Sequence, residues 1–275
     1  MSRIALISGR GRLPHLLAER LSGDGHEPVL AEFEGFESLS ASVPDIVRFR
    51  LERLVPFLDH LKDLGVTRAV FAGAVHRPRL EPGLIDPATM QLLPRIMAAM
   101  QQGDDAALRE VVELMQEWDI EVIGAQEVCP DLVASPGVLG SVAPSASDKQ
   151  DAARGGEILR LIGQADIGQG CVMARGQCLA VEALPGTDAM LKHLAELRAD
   201  HHPLPDGGVL CKAPKPDQDR RMDLPSLGPE TVTAIHACGL RGIAFEAGGV
   251  LLIDRAEMQA RADALGIFLW ACEPA

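Results

Sequence analysis

Short apolar runs alternate along the chain with segments of helical periodicity, and the alternation predicts an α/β protein. Arg3 to Ser8 reads as a buried strand that runs into Gly9-Arg-Gly-Arg-Leu-Pro. Pro14 suits the first turn of a helix over Leu13 to Leu21, because the fixed φ of proline fits there and its missing N–H is not needed. His26 to Phe33 and Asp45 to Leu51 predict two more strands. Leu54, Phe57, Leu58, Leu61 and Leu64 share one helical face, Gly65 ends that helix, and Val66 to Ala72 returns as a strand. Pro87 to Gln101 and Asp104 to Trp118 predict helices, and Glu121-Val-Ile-Gly closes the series. Strands and helices in this order imply a Rossmann-like parallel sheet with helices on both faces, which assigns residues 1–130 to an N-terminal domain.

The texture changes after Cys129. Pro130, Pro136, Gly137, Gly140, Pro144 and several serines fall together without periodicity, so residues 131–147 read as a linker. Residues 148–275 then predict a second domain of mixed α/β type. Ser147 or Asp148 caps a helix through Leu161, and Gly170 to Arg175 and Cys178 to Ala183 form a hairpin about Gly176-Gln177. Thr187 or Asp188 caps a helix opening at Gly186. Val209 to Cys211 is a strand, Glu230 to Cys238 a helix, and Gly242 to Glu246 with Val250 to Ile253 a second hairpin about Gly248-Gly249. A helix over Arg255 to Leu265 and a strand over Ile267 to Ala271 complete the pattern.

Composition narrows the classes of function. Among 275 residues, 26 basic and 39 acidic side chains give a formal charge of −13, which excludes a general attraction to nucleic acid. An anionic ligand must be held by a local basic cluster. The six cysteines contain no C-x-x-C pair, which argues against a zinc site. Met1 to Gly9 lacks the apolar core of a signal peptide, and no apolar run approaches the roughly 18 residues of a membrane span. These features predict a cytoplasmic protein with reduced thiols. A peripheral contact with a membrane and a homodimer both stay open.

Several clusters carry candidate chemistry. Gly9-x-Gly11 lies on a strand-to-helix turn, where backbone N–H groups can hold a phosphate; it is equally a turn that needs glycine for its backbone angles. Pro14 stands where the dinucleotide fingerprint has its third glycine, and Asp24, Glu27 and Glu32 match a ribose ligand only loosely, so an NAD site is weakly indicated. Gly73-Ala-Val-His76-Arg77-Pro lies at the carboxyl end of a predicted strand, where open α/β sheets bind ligands. Gln169, Glu182, Thr187 and Asp188 gather at the ends of the first hairpin and the following helix. Glu182 ends an apolar strand, so its carboxylate needs a lysine or a magnesium ion if buried. The stretch from Lys212 to Pro225 is the richest, mixing Lys212, Lys215, Arg220 and Arg221 with Asp217, Asp219 and Asp223 and three prolines. It is either a solvated loop or a place for phosphate chemistry with magnesium, Asp219 and Asp223 serving as ligand and base. Glu246, at a strand end, either lines the same cleft or closes its turn.

Taken together, Gly9-x-Gly11-x-Leu13-Pro14, Ala72-Gly73-x-Val75-x-Arg77-Pro78, Gly168-Gln-Gly-Cys-Val, Ala180-Val-Glu-Ala-x-x-Gly-Thr-Asp-Ala-Met-Leu191 and Lys215-Pro-x-Gln218-Asp-x-Arg-x-Asp-Leu-Pro225 resemble the LpxI-type UDP-2,3-diacylglucosamine pyrophosphatases. Gly239-Leu-x-Gly-Ile-Ala-x-Glu-Ala-Gly248 continues the likeness over nearly the whole chain. The resemblance implies Mg2+-dependent hydrolysis of UDP-2,3-diacylglucosamine to UMP and 2,3-diacylglucosamine 1-phosphate (lipid X), a cytosol-facing step of lipid A synthesis in Gram-negative bacteria. Asp223 matches the aspartate of Arg-x-Asp-Leu-Pro and takes a catalytic or metal role. With it, Lys215 and Arg221 are expected to be catalytic, and Asp188, Glu182 and Asp219 further metal ligands. Gly9, Gly11, Leu13, Gly73, Arg77, Gln169, Thr187, Lys212 and Gln218 are expected to bind substrate. An NAD-dependent oxidoreductase and a non-catalytic nucleotide-sugar or lipid carrier are the competing readings.

Overall fold

Strand β1 (Arg3–Ser8) lies at the middle of a five-stranded sheet and is buried along almost its whole length. It belongs to a computed structural model that describes residues 3–39, 46–75, 80–200 and 202–274. Around β1 stand α1 (Leu13–Gly23), β2 (Val29–Phe33), β3 (Val47–Phe49), α2 (Leu54–Asp63), β4 (Val66–Ala72), α3 (Pro87–Gln101), α4 (Asp104–Glu117), β5 (Glu121–Ile123) and the one-turn α5 (Ala125–Val128). The strand order is β3-β2-β1-β4-β5 and every pairing is parallel, the Rossmann-like arrangement expected. The apolar face of α2 buries Leu54, Phe57, Leu58 and Leu61 against Ala5, Ile7 and Val122 of the sheet. Asp86 starts α3 by accepting hydrogen bonds from the N–H groups of Ala88 (3.0 Å) and Thr89 (3.1 Å), which satisfies two of the donors a helix start leaves open.

The rest of the chain builds β6 (Gly137–Leu139), α6 (Ala146–Gln164), β7 (Gly170–Ala174), β8 (Gln177–Val181), α7 (Gly186–Ala199), β9 (Val209–Lys212), β10 (Ser226–Leu227), α8 (Pro229–Ala237), β11 (Gly242–Glu246), β12 (Leu251–Leu252), α9 (Arg255–Leu265) and β13 (Phe268–Cys272). Its main sheet runs β6-β13-β11-β9-β7-β8. Strands β9, β11 and β13 are mutually parallel, while β6, β7 and β8 are antiparallel to their neighbours. The mixed α/β class holds, and so does the first hairpin, with Arg175 and Gly176 between its strands. Asp151 of α6 fixes that turn, accepting from the N–H groups of Arg175 (2.9 Å) and Gly176 (2.6 Å).

Three local expectations differ. The second hairpin does not form: β11 is hydrogen-bonded on both sides by β9 and β13, so β12 has no edge to join and pairs in parallel with β10 instead. The stretch 131–147 read as a linker contributes β6, an edge strand on β13, too short for its period to show in the sequence. Helix α6 is capped by Ser145, whose Oγ accepts from the Asp148 N–H, while Asp148 returns a bond to the Ser145 N–H at 2.8 Å.

By its contacts the chain forms two compact units, one of residues 1–130 with Asp219–Asp223, the other of residues 131–218 with 224–275. Each has its own apolar core. The six cysteines are free, and burial pushes the Cys272 thiol up to about 11, which makes it a packing group. Among the described residues no helix is long and apolar enough to cross a membrane.

Candidate functional site

In the N-terminal unit the candidate turn after β1 is occupied by its own backbone. The Gly9 N–H donates to the Ala72 carbonyl (2.8 Å), and Arg10 and Ala74 exchange two bonds of 2.9 Å each. The β1 and β4 exits therefore cross in contact. A Cβ on Gly9 would lie 2.5 Å from the Ala74 carbonyl oxygen, and one on Gly73 would lie 2.6 Å from that of Arg10. Close approach explains both glycines without a ligand. Gly11 is different: its φ of +112° requires glycine, and the space where its Cβ would stand is open. Leu13 opens α1 behind it. His76 and Arg77 lie outside the described residues.

The residue at the usual ribose position is spent as well. Glu32, fully buried on β2, accepts from the N–H groups of Ser38 (2.9 Å) and Leu39, and Ser38 Oγ donates to the Gly9 carbonyl at 2.9 Å. Arg10 reaches over the Phe36 ring, 5.4 Å from its centre, and donates to the Gly35 carbonyl at 2.7 Å. The carboxylate that a dinucleotide ribose needs is thus turned inward to hold a loop.

The second unit brings charged side chains together at one sheet edge. Lys212 ends β9 opposite Gly170 at the start of β7, and Glu182 follows β8, its N–H donating to the Gly170 carbonyl at 2.8 Å. Lys212 is 6% exposed; its ammonium lies 3.3 Å from Glu182 Oε2 and donates to Thr187 Oγ1. Thr187 and Asp188 do not cap α7, which begins after Pro185 without a side-chain cap. Among the described residues the buried amide oxygen of Gln169 meets no partner, and the Ala213 N–H donates to the Gln169 backbone carbonyl at 3.2 Å. Lys215 is paired with Asp166, and its N–H donates to the side-chain oxygen of the buried Gln218 at 2.9 Å. Asp166, whose φ is +53°, is a partner the sequence did not single out; its signal was only a carboxylate between a helix end and Gly168.

The charged stretch itself is divided. Lys212, Lys215 and Gln218 belong to the C-terminal unit, whereas Asp219 to Asp223 group with the N-terminal one. There they form a tight turn in which the Met222 and Asp223 N–H groups donate to the Asp219 carbonyl. Met222 packs against the N-terminal core, and Gln126 Nε2 donates to the Arg220 carbonyl at 3.3 Å. Arg221 grips Asp219 with two parallel bonds, Nε to Oδ1 at 2.9 Å and Nη2 to Oδ2 at 2.6 Å. That side-chain pairing holds the Asp219 carboxyl below its ordinary range and raises Arg221 in turn.

These contacts sort the four carboxylates expected to hold a metal. Glu182 and Asp219 are each engaged by a cation, while Asp188 and Asp223 are exposed. Among the described residues no group of three or more His, Cys, Asp or Glu side chains gathers around one point. Magnesium does not need one, since it takes one or two carboxylates and fills its shell with water and substrate phosphate. An exposed carboxylate beside a charge-rich turn fits that habit.

Comparison with known proteins agrees with the sequence motifs. Residues 3–132 match the LpxI N-terminal domain and residues 135–270 the LpxI C-terminal domain. Over 280 aligned residues the chain is 35% identical to the UDP-2,3-diacylglucosamine pyrophosphatase LpxI of Caulobacter vibrioides, covering 100% of this chain and 99% of that protein.

Proposed function

The chain belongs to the LpxI family, and we propose that it hydrolyses the pyrophosphate of UDP-2,3-diacylglucosamine, releasing UMP and 2,3-diacylglucosamine 1-phosphate (lipid X) in lipid A biosynthesis. The observation that carries this reading is the 35% identity, end to end, with a protein named for that activity. The same match makes an NAD-dependent oxidoreductase and a passive carrier poor alternatives, and the inward-turned Glu32 disfavours the first of them independently.

Hydrolysis adds water across one P–O bond, and negative charge grows on the departing phosphate. Lys215 and Arg221 offset that charge, and each is already oriented, Lys215 by Asp166 and Arg221 by Asp219. Pre-orientation matters because the side chains then lose little freedom during the reaction. Asp223 would hold Mg2+ with the phosphate oxygens, the exposed Asp188 being the next carboxylate suited to it. Bound Mg2+ supplies Lewis-acid polarisation of the phosphoryl group. In the second unit Gln169, Thr187 and Gln218 contact substrate, with Lys212 bound to Thr187, and in the first unit the open turn at Gly11 is a candidate phosphate contact. The two acyl chains of that substrate favour a cytoplasmic enzyme that makes peripheral contact with the inner membrane.

UMP release from the diacylated substrate, measured with Mg2+ and then with EDTA, tests the reading. Asp223→Ala is expected to lower turnover by roughly a thousandfold. Undiminished turnover in that variant rejects the role of Asp223, and turnover indifferent to EDTA rejects the metal.

A further inference from the structure

We propose that Glu182 and Lys212 are positioning residues that turn the hydroxyl of Thr187 into a dedicated hydrogen-bond donor for a substrate phosphate oxygen; the inference rests on the hydrolase reading above. An ammonium group only donates hydrogen bonds, whereas a hydroxyl both donates and accepts. Lys212 Nζ donates to Thr187 Oγ1, so that oxygen spends a lone pair on the lysine and keeps its own proton to give away. Thr187 lies inside the first turn of α7, after Pro185 at the cap position, so its hydroxyl is not the cap of that helix.

The pair behind Thr187 is built with care for space. Lys212 is 6% exposed and the Glu182 side chain 14%, so neither charge is well hydrated and each needs the other. Glu182 reaches Lys212 because two neighbours lack side chains. A Cβ on Gly168 would lie 2.2 Å from the Glu182 carbonyl oxygen, and one on Gly170 would lie 2.3 Å from Glu182 Oε2. The spacing Gly168-Gln-Gly170 thus admits the carboxylate beneath the ammonium. The order of contact is Glu182, Lys212, Thr187. A donor hydroxyl polarised by a cation selects an anion, and the anionic part of UDP-2,3-diacylglucosamine is its pyrophosphate. On this geometry Glu182 serves the lysine and is no metal ligand.

Thr187→Val removes the proton while keeping the side-chain shape, and Thr187→Ser keeps it. UMP release is expected to fall roughly thirtyfold in Thr187→Val and to stay within about threefold of wild type in Thr187→Ser. The double variant Lys212→Met, Glu182→Gln removes both buried charges together, so neither is left alone. Adding Thr187→Val to it should lower release by less than about twofold more, because the positioned donor is already lost. Effects that simply multiply, or full activity in Thr187→Val, overturn the proposal. If the double variant fails to fold, the Val and Ser substitutions decide. Calorimetric titration with inorganic pyrophosphate reads the contact without turnover. A wild-type protein that releases no UMP, yet loses pyrophosphate affinity on Thr187→Val, overturns the hydrolase reading and keeps the positioned hydroxyl. Normal UMP release with turnover and affinity both unchanged in Thr187→Val does the reverse.

Discussion

The two units each present a sheet edge where ligands of α/β proteins commonly bind, yet they spend their polar groups differently. At the N-terminal edge, backbone meets backbone: Gly9, Arg10 and Ala74 close on one another, and Glu32 and Ser38 tie down the neighbouring loop. At the C-terminal edge the partners are long charged side chains, Glu182 with Lys212 and Asp166 with Lys215. Backbone pairing fixes a shape and leaves few groups to rearrange when a ligand arrives. Charged side chains are held by contacts that a phosphate can share or replace, at a lower cost in structure. Similar residue types, glycine and glutamate, therefore tie down backbone in one unit and hold a buried lysine in the other.

Alanine at the two kinds of glycine is the most severe way to break the contrast. Gly9→Ala forces a Cβ against a backbone carbonyl that cannot move alone, and is expected to destabilise the protein by about 3 kcal/mol in denaturant unfolding. Gly170→Ala meets the far end of the Glu182 side chain, which can swing away. Its expected cost in stability is about 2 kcal/mol, coming from the buried Lys212 charge left without its partner, with UMP release down roughly tenfold. Equal loss of stability in both variants would erase the distinction.

A smaller effect should appear at Asp219, the point where a charged pair serves as framework. Arg221 holds its carboxyl below the ordinary range, so the pair adds stability at neutral pH and loses it as pH falls through that lowered value. Asp219→Asn should cost about 1 kcal/mol near neutral pH, a figure reduced because the guanidinium is 40% exposed. The difference from wild type should shrink as pH falls below the ordinary carboxylate range and the native carboxyl takes up its proton. Urea unfolding across that range checks it, and a difference that does not change with pH removes the ionic origin.

Much of the fold was legible because single elements declare themselves. Arg3–Ser8, Val66–Ala72 and Arg255–Leu265 lie where periodicity put them, each bounded by a turn glycine or a change of period. The lost hairpin at Gly248-Gly249 shows the limit, since a strand joined on both edges looks locally like one with an edge to offer. At the site, residue type showed where charge would gather, and the burial rule for Glu182 named lysine among its partners. The Asp166–Lys215 contact was not visible because it joins residues far apart in the chain. Nor could spacing show that Asp219 turns to Arg221, since a pair two residues apart meets only in a tight turn.

The turn at Asp219–Asp223 has one more consequence. It makes the N-terminal unit discontinuous, so the polypeptide changes units at three points, after residues 130, 218 and 223. A fragment ending at Pro130 would lack Met222 and the acceptor that Gln126 uses. Cutting the chain there would produce a split protein whose two pieces still share one folded unit.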